Sequence, residues 1–447
     1  MHGSPAPTPP APPAPSHGSL TVLQGAALYV GAVLGTGVIA LPALAANIAG
    51  PASLLAWLAL VLLSAPLAAT FAALGARYPD AGGVATYVRN AFGERASAIV
   101  GWCFYFAVPA GAPAAAMFAG AYVAAAVGGG SQTVLLTSVA LVIVVTAANA
   151  LGVTISGRLQ VVLSALLVAL LLAAVAVSAP HARLAYLHPF APHGWSAIAP
   201  AAALLVWSFA GWEAITHLAG EFRQPARDLP LASGIAVVVV GVLYLAVAAA
   251  SVLVLGPAAG QADAPLAQLL VIGIGGKVRI VAAFAAVLLT LGTMNAYFAG
   301  AAKLGAALGR DGALPRWLAA GSLAGDVPRR SLGVVAALAA LATAVVAWAQ
   351  VGPKPLVLVT TGSFVTVYAL GTAAALKLLP RGSAAHRCAG IALIAVAALC
   401  VATGWFLLWP LVMSACALCY LALQKRLQKR RDARLRGARG KVAQTDG

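Results

Sequence analysis

Long runs of apolar residues, separated by short segments with charges or turn residues, make up most of this 447-residue chain. A helix that crosses a bilayer needs roughly 20 apolar residues. Windows of about that length predict an all-α integral membrane protein with about twelve membrane-spanning helices. They lie at residues 20–48, 52–76, 97–127, 132–153, 160–179, 197–219, 231–255, 276–300, 332–351, 356–379, 388–405 and 406–424.

The first ten predicted spans divide into two sets of five, residues 20–179 and 197–379, followed by a final pair at 388–424. Because five is an odd number, the second set crosses the membrane in the opposite sense to the first. This order predicts an inverted-topology repeat in which the first span corresponds to the sixth. We expect the Pro/Ala-rich residues 1–19 to be a disordered tail and residues 425–447 to be a basic cytoplasmic tail.

Two corresponding spans carry an interruption. The first contains Gly35-Thr36-Gly37, and the sixth contains Ser208-Phe209-Ala210-Gly211 just before Glu213. A glycine costs roughly 1 kcal/mol relative to alanine inside a helix, so both segments are predicted to unwind in mid-membrane. Interruptions at matching positions in the two halves of a chain indicate a transporter binding site. Close packing of another helix would also explain the glycines of the first span.

The two breaks offer complementary chemistry. An unwound first span would expose the amides of Thr36, Gly37 and Val38 as a helix N-terminus, which suits a carboxylate. Opening of the sixth span would expose backbone carbonyls, which suit an ammonium group. Together they predict a site for an α-amino acid. The aromatic side chains of the sixth span could wall this site, although packing is the more ordinary role for two of the three: Trp207, Phe209 and Trp212.

Glu213 is an acidic residue inside a predicted span, whereas the other nine acidic residues fall in or beside predicted loops. A carboxylate in hydrocarbon is costly and therefore indicates function. We expect Glu213 to couple substrate binding to closure, although it could instead bond backbone amides freed at the break. His217 lies four residues later on the same helical face. The pair could exchange a proton, but a structural role for His217 is the alternative we favour.

Composition and charge agree with this interpretation. Hydrophobic residues make up 62% of the chain, charged residues 8%, and the mean hydropathy is +0.96. Of the 27 Lys and Arg residues, 23 fall on the side of the predicted termini, which places both termini in the cytoplasm. The basic tail is expected to bind anionic lipid and not nucleic acid, since no aromatic residues lie among its charges. The five cysteines lie in apolar runs, and we expect no metal and no cofactor.

Several motifs appear in order across residues 20–379. They are Gly35-Thr36-Gly37, Tyr78-Pro79-Asp80-Ala81-Gly82-Gly83, Phe209 to Glu213, Glu221-Phe222-Arg223-Gln224-Pro225 and Gly309-Arg310-Asp311-Gly312. The set resembles the amino acid–polyamine–organocation (APC) superfamily. Within it, Leu34 to Val38 and His217 to Phe222 look most similar to the bacterial L-methionine and branched-chain amino acid exporters.

The resemblance implies a transporter with alternating access. By position, Thr36 and Gly37 would bind the substrate carboxylate, the carbonyls of Val33, Trp207 and Ala210 would accept the ammonium group, and Trp207 would act as a gate. Gly35 and Gly211 complete the expected binding set. Weaker pocket candidates are Thr290, Thr293, Asn295, Thr361 and Ser363. Related proton-coupled proteins have a lysine in the fifth span, but Val161–Leu172 has no charged residue. The coupling ion therefore stays open, with H⁺ as the candidate.

Our first hypothesis is export of neutral, apolar amino acids by a multi-pass protein of a bacterial inner membrane. An uptake carrier or exchanger for other amino acids or amines in the same fold is the alternative, because direction is not encoded in these motifs. A membrane-embedded enzyme would need clustered Asp, Glu or His residues in lipid, and a channel would need a selectivity filter or a charged ring. The sequence shows neither pattern, so we expect no enzymatic activity.

Overall fold

The structure is a computed structural model that describes residues 20–79, 83–152, 157–213, 216, 219, 222–321 and 327–443. The expected N-terminal tail at 1–19, His217 and Glu221 lie outside the described residues. Fifteen α-helices are present in the described part of the chain. They are α1 Val22–Leu34, α2 Gly37–Ala49, α3 Ser53–Arg77, α4 Val84–Phe92, α5 Glu94–Val127, α6 Ser131–Ala150, α7 Gly157–Ser178, α8 Ile198–Leu205, α9 Pro225–Leu255, α10 Pro265–Ile274, α11 Val278–Arg310, α12 Arg329–Ala349, α13 Lys354–Leu378, α14 Ala384–Thr403 and α15 Leu408–Ala443.

Within the described residues, nine helical stretches are long and apolar enough to cross a membrane. This chain is therefore a multi-pass membrane protein. The stretch Val22–Arg77 contains the first two predicted spans, and Ala384–Gln428 contains the last two, with a turn at Gly404–Leu407 between them. The sixth predicted span begins as the short apolar helix Trp195–Phe209. The total of twelve spans stays a prediction.

Two short helices lie in segments that the hydrophobic pattern assigns to loops. The amphipathic helix α4 follows the first long helical stretch, and α10 lies between α9 and α11. Both are shorter than a bilayer requires, and each packs against the long helices beside it. The amide of Leu266 in α10 donates to the hydroxyl of Tyr122 in α5, and that hydroxyl lies 2.6 Å from the carbonyl oxygen of Ile39 in α2.

The central helix α5 packs against α11 through small residues. A Cβ at Gly101 of α5 would lie 2.6 Å from the side chain of Leu308, and a Cβ at Gly305 of α11 would overlap the ring of Tyr105. Helices in a bilayer associate through such close packing, because the hydrophobic effect that holds the helices of soluble proteins together is absent there. The helices α6, α12, α13 and α15 also pack on α5, so this helix connects both halves of the chain.

The two halves pack reciprocally. Helix α1, in the first predicted span, packs on α9, the seventh, and α8, in the sixth span, packs on α3, the second. An inverted repeat relates the first span to the sixth and the second span to the seventh. A contact between the first and seventh spans is therefore equivalent to a contact between the sixth and second spans. This packing supports the repeat, which itself stays a prediction.

Helix ends that the charge pattern assigns to the cytoplasm meet in space. Arg89 of α4 forms an ion pair with Asp311 after α11 at 2.9 Å, and Lys377 of α13 donates to the carbonyl oxygen of Ala91 at 2.6 Å. Ends assigned to the opposite side also meet, because His193 contacts the carbonyl oxygen of Ile48 at 2.9 Å. These contacts agree with the two-sided arrangement that the charge pattern predicts, which itself stays a prediction.

Candidate functional site

The first span is interrupted between two helices. Helix α1 ends at Leu34, Gly35 has φ +30°, and α2 begins at Gly37. Thr36 precedes α2 and is 2% exposed, and its side chain forms no capping hydrogen bond within the part of the chain that the structure describes. The first amides of a helix have no partner within the helix. The N-terminus of α2 is therefore buried with open donors and a partial positive charge.

The sixth span is interrupted at the position that the sequence indicates. Helix α8 ends at Leu205 and continues as one 3₁₀ turn over Val206–Phe209. Ala210 is then extended, with φ −70° and ψ 137°, and Gly211 has φ +128°. An L-residue with a side chain rarely adopts that φ, so glycine at 211 allows the chain to leave the helix here.

The backbones of the two breaks are in direct contact. A Cβ at Gly211 would lie 3.0 Å from the carbonyl carbon of Ala32, and a Cβ at Gly37 would lie 2.9 Å from the Cα of Ser208. Each break therefore uses a glycine to approach the backbone of the other. The glycines of the first span serve close packing as well as unwinding, so the two interpretations left open by the sequence are compatible.

Tyr244 of α9 joins the two breaks. Its hydroxyl lies 2.6 Å from the carbonyl oxygen of Val33 and 2.7 Å from that of Ser208. A tyrosine hydroxyl carries one proton, so it donates to one of these carbonyls at a time. Because unpaired backbone groups are costly in a bilayer, this side chain stabilises both interruptions. Nothing in the local sequence around Tyr244 indicates this role.

Glu213 is fully buried and bonds the second break to α13. Its Oε2 atom accepts the amide of Gly211 at 3.0 Å and the hydroxyl of Tyr368 at 2.6 Å. The Tyr368 hydroxyl also lies 3.2 Å from the carbonyl oxygen of Phe209. Glu213 thus bonds a freed backbone amide, which was the alternative to a coupling role. The contact with Tyr368 additionally connects this amide to a neighbouring helix.

A cavity of about 540 Å³, including space open to the outside, lies against both breaks. Its walls come from the first break, from the second break, and from α5, α11 and α13. They are Ala32, Val33, Gly35, Thr36, Gly37, Ala107, Val108, Gly111, Ala112, Ala115, Trp207, Ala210, Thr293, Met294, Tyr297, Phe298, Thr360 and Phe364. None of these described wall residues carries a charge, and most are apolar.

Seven of the candidate residues from the sequence line this cavity: Val33, Gly35, Thr36, Gly37, Trp207, Ala210 and Thr293. Gly211 and Glu213 lie behind the wall and shape the second break. Asn295 instead accepts from the amide of Asn149 in α6 at 2.8 Å. Three hydroxyl candidates are buried away from the cavity wall, with no hydrogen-bond partner among the described residues: Thr290, Thr361 and Ser363.

The three aromatic residues of the second break have different surroundings. Trp207 lines the cavity and contacts the ring of Phe118 edge-on, with centroids 6.4 Å apart. Phe209 packs between Trp57 and Tyr244, and the fully buried Trp212 packs on Tyr29. One of the three is therefore placed to contact a ligand, as the packing argument suggests.

Sequence reasoning missed most of the wall that faces the two breaks. The α5 residues and the aromatic residues of α11 look like ordinary packing positions in a membrane helix. Thr360 lies beside the candidate Thr361, one position earlier in α13, and only the geometry distinguishes the two. These residues carry no local chemical signal because their role arises from their position around the cavity.

Comparison with known proteins decides the family. The sequence profile of the amino acid permease family matches residues 20–430. The chain belongs to this family. The permease is 34% identical over 414 residues to the amino acid permease YecA of Bacillus subtilis, with 93% of this chain and 98% of YecA covered. It is 33% identical over 368 residues to the L-methionine/branched-chain amino acid exporter YjeH of Escherichia coli, with 80% and 86% covered.

A third relative is more distant. The branched-chain amino acid permease BcaP of Bacillus subtilis is 26% identical over 240 residues, covering 50% of this chain and 52% of BcaP. These relatives are transporters and not enzymes, so the permease is a transporter of the APC superfamily, as the motifs indicate.

The motif in Tyr78–Gly83 includes residues 80–82, which lie outside the described residues.

The first prediction concerns Gly211. Replacing it with alanine places a side chain at φ +128° and against Ala32. Strain at such a position costs roughly 1–3 kcal/mol, so we expect a thermal unfolding midpoint several degrees lower and loss of transport. The control is Gly194→Ala, at φ +80° in a loop, where the nearest atom would be 3.8 Å away. Equal losses in the two variants would show that the contact with the first break is unimportant.

The second prediction concerns Tyr244. Tyr244→Phe removes the hydroxyl shared by the Val33 and Ser208 carbonyls, and an unpaired buried group costs roughly 1–3 kcal/mol. We expect lower thermal stability and slower transport in proteoliposomes. Tyr420→Phe is the matched control, because the Tyr420 hydroxyl bonds Gln424 at the protein surface. Unchanged transport by Tyr244→Phe would contradict a role in holding the breaks together.

Proposed function

We propose that this permease is a secondary active transporter for neutral, apolar L-amino acids. The observation that carries the proposal is the cavity formed jointly by the two breaks, because it presents an open helix N-terminus in uncharged surroundings. That N-terminus suits a carboxylate. A wall without charged residues suits an apolar side chain and offers no partner for a cationic one.

The amino acid would lie across the two breaks. Thr36 and Gly37 would bind the carboxylate through the first amides of α2. The carbonyls of Val33, Trp207 and Ala210 would accept the ammonium group. The Val33 carbonyl shares the Tyr244 hydroxyl with the Ser208 carbonyl, and the Trp207 carbonyl accepts from the Ala210 amide. A carbonyl has two lone pairs and can accept a further hydrogen bond.

Glu213 would couple the filled site to α13. It contacts the Gly211 amide and the Tyr368 hydroxyl through one oxygen atom. A change in the second break on substrate binding would therefore alter the contact with α13 directly. We propose that this set of contacts between Gly211, Glu213 and Tyr368, called the latch below, is the coupling element, and that Trp207 is the gate. A contribution from His217, and H⁺ as the coupling ion, are further parts of the proposal.

We propose export as the direction of net transport, in a bacterial inner membrane with both termini cytoplasmic and the basic tail on anionic lipid. The support for export is the similarity to YjeH, whose name describes an exporter. An uptake carrier is the second candidate, because the name of BcaP, a branched-chain amino acid permease, states no direction of transport. Protection of growing cells against toxic methionine or leucine dipeptides would support export, whereas rescue of an amino acid auxotroph would support uptake.

Substrate exchange in proteoliposomes tests the site. Vesicles loaded with methionine are expected to take up labelled methionine and leucine but not arginine or putrescine. Gly37→Val should abolish exchange, because a side chain there overlaps Ser208. Gly300→Ala in α11 is the control, since its Cβ would meet no described atom within 4 Å. Exchange of arginine or putrescine would overturn the substrate class and leave the family assignment intact.

The latch is tested by a double-mutant cycle. Removing one partner of a buried hydrogen bond costs roughly 1–3 kcal/mol, so Glu213→Leu and Tyr368→Phe should each slow methionine efflux about tenfold. If they act through their mutual contact, the double variant should be no slower than the slower single variant. Multiplied effects would show that the two residues act independently, and unchanged efflux in Glu213→Leu would remove Glu213 from the mechanism.

A further inference from the structure

Gly111 of α5 lies where the Trp207 indole reaches the helix backbone. A Cβ at this position would be 2.8 Å from Cη2 and 2.9 Å from Cζ3 of the indole. Non-bonded carbon atoms are normally about 3.5–4.0 Å apart. The six-membered edge of Trp207 therefore rests on a surface that only a residue without a side chain provides.

This contact differs from the other close glycine contacts of α5. Gly101 accommodates Leu308, a residue of the helix packed beside it. Gly111 instead accommodates the indole of Trp207, and both of these residues line the cavity. The absence of a side chain at position 111 therefore influences the shape of the cavity and not only the distance between helices.

The same part of the cavity would hold the substrate side chain. This inference rests on the proposed function, in which the two breaks bind the carboxylate and ammonium groups. The remaining wall then faces the side chain. In α5 it includes the small residues Ala107, Gly111 and Ala115, and in α11 and α13 it includes the larger residues Met294, Tyr297 and Phe364.

Thr360 adds a polar group to the wall of this compartment. It lines the cavity, is 2% exposed, and its hydroxyl has no hydrogen-bond partner among the described residues. That hydroxyl would be 3.1 Å from a Cβ at Gly111. A buried hydroxyl without a partner costs roughly 1–3 kcal/mol, so a bound molecule or water that approaches it is favoured.

We propose that Gly111 determines the largest substrate side chain that the permease accepts, because it lets the Trp207 indole lie back against α5. A methyl group at 111 would lie 2.8 Å from the indole, whereas non-bonded carbon atoms are normally at least about 3.5 Å apart. The indole must therefore move by about 0.7 Å or more. Gly111 and Trp207 both line the cavity, so pushing the indole away from the α5 backbone changes the space in this compartment. The compartment of the native protein then fits leucine or methionine, and the altered one fits alanine.

The test is the ratio of substrates exchanged by Gly111→Ala. One methylene more or less in an apolar pocket changes the preference for one substrate over another by about 10-fold to 200-fold. In proteoliposomes containing the full-length protein, we therefore expect leucine and methionine exchange to fall at least tenfold relative to alanine exchange. Gly300→Ala should keep the native ratio, since it makes the same change on an open face of α11.

A second substitution tests whether Trp207 mediates the effect. Adding Trp207→Phe to Gly111→Ala removes the overlapping part of the indole, so the ratio of leucine to alanine exchange should return toward the native value. Trp207→Phe alone enlarges the compartment and should admit phenylalanine, which gives a test that does not require Gly111→Ala to fold.

The outcomes separate this inference from the proposed function. An unchanged substrate ratio in Gly111→Ala, or an equal loss of alanine and leucine exchange, would overturn the role of Gly111 while native exchange still supports the proposed function. The role of Gly111 is also overturned if Trp207→Phe fails to restore the ratio and does not admit phenylalanine. If the native protein exchanges no amino acid, the proposed function and this inference both fail.

Discussion

The site depends on direct backbone contact between the two interrupted spans. Gly211 lies against Ala32, and Gly37 lies against Ser208, at distances that a side chain would prevent. This contact brings the N-terminus of α2 and the end of the 3₁₀ turn at Val206–Phe209 to one cavity. Without it, the two sets of freed backbone groups would lie apart and could not bind the two ends of a single small molecule.

Interrupting a helix in a membrane is possible only where the released backbone groups find partners. Here side chains supply the partners. The hydroxyl of Tyr244 bonds the Val33 and Ser208 carbonyls, and Glu213, itself bonded by Tyr368, accepts the Gly211 amide of the second break. The amides at the start of α2 are the exception, since no side chain caps them within the described residues, and Thr36 and Gly37 line the cavity. The amides offered to a substrate carboxylate are therefore ones that no side chain of the protein caps.

The sequence predicts the helical membrane architecture and both breaks, because apolar runs, Gly35-Thr36-Gly37 and the acid at Glu213 are local signals. It does not reveal Tyr244, Tyr368 or Gly111. Their roles arise from contacts between residues far apart in the chain, such as 211 positions for Tyr244 and Val33. The helices α4 and α10 are missed for a different reason: a span-length window detects runs of about 20 residues, and these are 9 and 10 residues long.

A ligand-binding measurement shows most directly whether the site requires both ends of an α-amino acid. Thermal unfolding of the purified permease would be measured with L-leucine, with 3-methylbutylamine, which lacks the carboxylate, and with 4-methylpentanoate, which lacks the ammonium group. If each break binds one end of the substrate, L-leucine raises the unfolding midpoint and neither truncated molecule does so at the same concentration. Equal stabilisation by either truncated molecule would contradict a site built from the two breaks together.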